Sequence, residues 1–169
     1  MDAGNATNHR DTLRRLLADF EYAMLTSRAL DGALDSRPVQ ILQVDAECVI
    51  WFFTNAASAK VEEIRDEPRV VLACADTARK IFVAVAGVAE IIVDRRKIEE
   101  LWTPAQTVFF PEGRDDPSLR LLKITPTSAR HWDGNESTIG MLLKFGKAVL
   151  RGQASDLGRS DRFDLDEDA

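Results

Sequence analysis

No apolar run in the chain approaches the roughly 20 residues needed to span a bilayer, cysteine and histidine occur only twice each, and positive charge is in deficit. Each scarcity excludes something. With His9 in a polar stretch and His131 alone, no His/Cys set has the spacing of a zinc site. Cys48 and Cys74 sit in apolar, strand-like runs, which predicts buried, reduced thiols rather than a disulfide framework. A formal net charge of −6 and a pI near 5.0 argue against nucleic acid or an anionic membrane as partner, while leaving room for a local basic pocket that takes one phosphate. The first fifteen residues are polar and mixed in charge, without the apolar stretch of a secretory signal, so a cytoplasmic protein is expected.

What is present is enough for one domain. The 169 residues are 45% hydrophobic, which supplies a single core with modest tails. Residues 1–9 read as a flexible tail. Over 10–20, Leu13, Leu16, Leu17 and Phe20 recur at helical spacing and predict a short amphipathic helix. Strands are predicted over 22–28, 37–44, 48–54, 69–75 and 81–93. Pro38 belongs at an edge or bulge, and Gly87 in the middle of the last of these suggests a bend of the kind that closes barrels. A helix over 57–66 ends at Pro68, and a second starts from the Asp94 cap and presents Ile98, Leu101 and Trp102 on one face. Residues 103–118 form a loop rich in proline, glycine and acid. A last strand over 119–132 is expected to break at Pro126. Ile139, Leu142, Leu143, Phe145 and Val149 predict a helix within 134–152, packed on the barrel or at a dimer interface, and 153–169 reads as a disordered acidic tail. Short strands joined by hairpins and a few helices predict a mainly β fold, a closed or partly closed antiparallel barrel, over 10–133.

One stretch carries chemistry. Residues 51–60, WFFTNAASAK, run from an apolar strand into a helix. A helix start offers unpaired backbone N–H groups and a favourable dipole, Thr54 and Ser58 add hydroxyls, and Lys60 adds a charge. Together they could cradle a phosphate, with Arg37 closing the other side. The alternative is a Ser that merely caps a helix and a Lys that merely solvates its first turn.

The run WFFTNAASAKVEEIRDEPRVVLACA at 51–75 resembles the flavin-binding core of the pyridoxamine 5′-phosphate oxidase-like split barrels. The likeness extends to SRPV at 36–39, VAVAGVAE at 83–90, DRRKIEELW at 94–102, FPEG at 110–113 and RHW at 130–132, and is nearest to the bacterial general stress protein branch. It implies a six-stranded antiparallel split β-barrel with peripheral helices, a homodimer, and FMN, with FAD as the other possibility, in a cleft at the dimer interface. Carried over by position, it implies that Arg37, Ser58 and Lys60 hold the phosphate and that Pro38, Val39, Phe53 and Thr54 line the ring and ribityl side. Trp132 would reach the flavin of the partner subunit. Trp102 and Phe110 are implied as wall residues, although helix spacing explains Trp102 equally well as core.

Two departures from the oxidase pattern bear on activity. Ala59 stands where the oxidase has an arginine next to the lysine, and DGNESTI at 133–139 replaces the basic substrate motif. A competent pyridoxamine phosphate oxidase is therefore not expected. The expected functions, in order, are a flavin-binding protein of the stress-protein type, a flavin-dependent oxidoreductase on a small substrate, and a binding module without cofactor. The 109–113 loop is open between a lid and an anchored loop, and His131 between a surface strand residue and an acid or base near a flavin.

Overall fold

The computed structural model describes residues 3–133 and 160–164. The helix expected over 134–152 lies outside them. The described chain is mainly β: one curled antiparallel sheet in the order β2-β1-β5-β6-β7-β4-β3, with β8 added to β7 and three helices around it. No helix among the described residues is long and apolar enough to cross a membrane.

The hairpin of β1 (Tyr22–Arg28) and β2 (Leu34–Gln40) pairs Met24 with Pro38 and turns at Gly32, whose φ of +87° suits glycine. β2 ends one rim of the sheet, which is where a strand can carry a proline without losing a ladder bond. The chain then leaves that rim at Ile41 and Leu42 and starts β3 (Gln43–Val44) on the opposite rim, paired to β4 (Ile50–Asn55). Two extended residues reach only about 7 Å. The sheet must therefore curl until its rims nearly meet, which makes it a split barrel. The single strand predicted over 37–44 divides here into two.

α1 (Ala3–Leu17) begins inside the predicted tail, because a helix already anchored through Leu13 and Leu17 extends at little cost. β5 (Arg69–Asp76) and β6 (Ile81–Ile92) form the back wall, and α2 (Ala59–Asp66) connects β4 to β5. α3 (Arg95–Leu101) starts from Asp94, whose carboxylate accepts from the Lys97 N–H. Two short 3-10 segments, Pro104–Val108 and Gly113–Asp115, lead back to β7 (Leu119–Asp133).

β7 does not break at Pro126. Its first half pairs with β4 as far as Ile124, and beyond that the edge on the β4 side is vacated. Pro126 faces Gly87 at a register shift in the β6–β7 ladder, so its missing N–H falls in a bulge. A Cβ on Gly87 would lie 2.7 Å from the Thr125 carbonyl oxygen, so only glycine allows this approach. β8 (Ser160–Asp164) then takes the vacated edge opposite Ser128 to Trp132. That strand corrects the expectation of a disordered tail for its five residues and, with the division of β2 from β3, raises the predicted six strands to eight among the described residues.

The main core lies inside the curl, where Leu13 and Leu17 of α1 meet Leu25, Phe52, Leu72, Val85 and Ile124. Cys48 and Cys74 are buried there, and burial pushes both thiols up to about 11, so they stay protonated at neutral pH. A second cluster of Trp51, Ile98, Leu101, Phe110, Leu119 and Leu121 covers the outer face of β4 and β7. β4 is buried on both faces, which explains its unbroken apolar and aromatic run.

Candidate functional site

The split in the barrel holds a cleft of about 400 Å³ lined by β1, β2, β4, the first turn of α2 and the first 3-10 segment. One end is built by a single continuous stretch. β4 carries Thr54 inward, the turn at 55–58 folds back through an Ala57 N–H bond to the Asn55 side chain (2.8 Å), and α2 starts after Ser58. Ser58 adopts the extended backbone of an N-cap, yet its hydroxyl does not cap the helix. It meets the Thr54 hydroxyl instead, at 3.2 Å. Lys60 lines the cleft one residue into the helix and forms no hydrogen bond or ion pair with any described residue. Burial and the Arg37 guanidinium hold its pKa below the usual 10.5, against the opposing pull of Glu63. A partly desolvated ammonium and the Thr54 hydroxyl thus line the same cleft, which suits an anion, while Ser58 is joined to it through Thr54 and does not itself line it.

Arg37 is placed differently from the expectation of a direct cleft contact. Its guanidinium donates to the Ser27 hydroxyl, to Asp35 (2.7 Å) and to Glu63 (2.5 Å), and Ser27 donates to the same Glu63 oxygen at 2.6 Å. Ser27 and Glu63 are 2% and 5% exposed, so the network is buried on their side and open at Asp35; none of its members lines the cleft, and Arg37 acts on Lys60 through its field. Glu63 was not singled out from the sequence. The available signal was a carboxylate set between Val61 and Ile64 on the inward arc of α2.

The other end is apolar and assembled from distant segments. Val39 and Pro38 come from β2, Phe53 from β4 and Phe110 from the turn after the first 3-10 segment. The Phe110 ring stands edge-on to Phe53 at 6.2 Å, and Trp102 packs against Phe53 at 5.9 Å without lining the cleft. Tyr22, Gln40, Leu42, Asn55, Gln106 and Phe109 complete the walls; of these only Asn55, within 51–60, and Phe109, in the 109–113 loop, lie in stretches that the sequence marked. Trp132 does not line this cleft. It lies across from Phe82 in the β6–β7 ladder, on the outer face of the sheet.

The sequence profile of the family described as "Pyridoxamine 5′-phosphate oxidase like" matches residues 8–156. A protein related to general stress protein 26 of Bacillus subtilis, from Clostridium acetobutylicum, superposes with a TM-score of 0.70 at 19% identity, covering 95% of this chain and 97% of its own. General stress protein 26 from Bacillus anthracis gives 0.65 at 17% identity, over 73% and 93%. The general stress FMN/FAD binding protein of Xanthomonas citri gives 0.61 at 25% identity, over 73% and 87%. No protein with curated annotation matches the sequence.

Proposed function

Given that the chain belongs to the pyridoxamine 5′-phosphate oxidase-like family, we propose that it binds a flavin in this cleft, FMN by preference, as a stress-type flavoprotein rather than a pyridoxamine phosphate oxidase. The observation that carries the reading is the unpaired, partly desolvated Lys60 in one cleft with Thr54, whose hydroxyl meets that of Ser58, and with the rings of Phe53 and Phe110. A phosphate with a ring attached through a short polar chain matches that combination. Ser58 and Lys60 hold the phosphate, with Arg37 adding its field. Thr54 serves the ribityl side, and Pro38, Val39, Phe53 and Phe110 flank the ring, with Trp102 supporting Phe53.

A bound flavin supplies hydride or single-electron chemistry. The described side chains that line the cleft serve binding, orientation and exclusion of water. The test is the absorption spectrum of the purified protein, followed by titration with FMN. Quenched flavin fluorescence that saturates at one flavin per chain is expected; a colourless protein that takes up none would end the reading.

The proposed homodimer has a physical basis in the outer face of β1, β5 and β6. Tyr22, Met24, Val71, Phe82 and Val88 are all exposed there, an apolar patch on alternate residues that continues into the cleft at Tyr22. A second copy of the chain is its occupant. Trp132 lies beside Phe82 on the same face and away from its own cleft, the arrangement required of a residue that serves the neighbouring subunit. Met24→Glu with Val71→Glu should give a monomer by light scattering and weaken FMN; a dimer that persists would place the interface elsewhere.

A further inference from the structure

Resting on the flavin reading, we propose that Gln106 and Gln40 form an amide pair that recognises the polar pyrimidine edge of the flavin ring. Gln106 is 5% exposed, one of only five buried polar or charged residues in the described chain, and it lines the cleft. Its place is fixed by the backbone: its N–H donates to the Thr103 carbonyl, and its own carbonyl accepts from both Phe109 and Phe110, each at 3.0 Å. The residue that seats the Phe110 ring therefore also presents a carboxamide beside it.

That carboxamide donates to the Gln40 oxygen at 3.3 Å, and Gln40 in turn donates to Glu21 at 3.3 Å. Both bonds are longer than the usual 2.7–3.2 Å of an N–H···O bond and can be exchanged for shorter ones. Gln40 lies three residues along β2 from Arg37, roughly 10 Å in an extended strand, and Arg37 is the residue whose charge acts on Lys60. Val39 and Phe53 line the same cleft. A flavin with its phosphate at Lys60 carries its ring toward the amides. The pyrimidine edge alternates carbonyl acceptors with one N–H donor, and a carboxamide supplies the complementary donor and acceptor together. Leaving such a buried amide unanswered is costly, which makes it a means of discrimination.

The experiment is a cycle between protein and ligand. FMN and N3-methyl-FMN are titrated against the full chain and against Gln106→Met, which keeps an unbranched side chain of similar length in the buried position. The native protein is expected to bind the methylated ligand at least tenfold more weakly than FMN, and the variant to bind the two within twofold. A purely structural Gln106 would leave the methyl penalty unchanged in the variant, and that result overturns the proposal. If Gln106→Met does not fold, Gln40→Met on the cleft-lining strand is read the same way. Failure of the native protein to bind FMN would instead remove the flavin reading itself, together with this inference.

Discussion

The two ends of the cleft are made by opposite means. The anion end is one continuous stretch, 54–60, whose geometry follows from a strand running into a helix through a four-residue turn. The ring end draws on β2, β4 and the 103–110 segment, residues more than sixty positions apart. A locally built end should lose one contact when one side chain is removed. An end built by convergence should lose its packing, and with it both ligand classes at once.

The sharpest way to break that distinction is Phe110→Ala. Phe110 is 4% exposed and packs edge-on to Phe53, so its removal should lower stability by roughly 3–5 kcal/mol in denaturant titration and weaken FMN and riboflavin alike. Selective loss of FMN would show that the ends are not independent. Lys60→Ala should do the reverse. Losing a charge-assisted contact of about 1.5–3 kcal/mol weakens FMN on the order of ten- to a hundredfold and leaves riboflavin nearly unchanged, as isothermal titration would measure.

The smallest effect is in pH. Lys60 titrates below 10.5 in the folded protein, and the ammonium form is the one that holds phosphate. FMN affinity should therefore be full near neutrality and fall as pH rises toward 10.5, more steeply than that of riboflavin, which shares the ionisable ring N–H but lacks the phosphate. The phosphate is already a dianion above about pH 6, so it contributes no slope there. An FMN profile that stays no steeper than that of riboflavin past pH 10.5 would take the ammonium out of the contact.

The same contrast decides what could be read in the sequence. β1, the Asp94 cap and the bulge at Gly87 were legible because each is set by near neighbours in the chain. So was the 54–60 junction. Pro126 misled, because its cost depends on whether β4 is still alongside, and β4 stops pairing at Ile124. Gln106 sits in a stretch that reads as irregular loop, and nothing local reveals that its carboxamide meets Gln40, sixty-six residues away. The inward turn of Arg37 depended on Glu63, a helical residue whose burial comes from the sheet beneath it. β8 depended on an edge left open thirty residues earlier.

The two-residue passage at Ile41 and Leu42 limits how a guest can come and go. β2 and β4 form facing walls of the cleft, and a tether no longer than a single side chain of lysine ties one to the strand that pairs with the other. Such walls cannot swing apart like doors. The sheet therefore sets the shape of the room, and the 103–118 segment, whose short 3-10 turns join no strand, supplies a further wall through Gln106, Phe109 and Phe110.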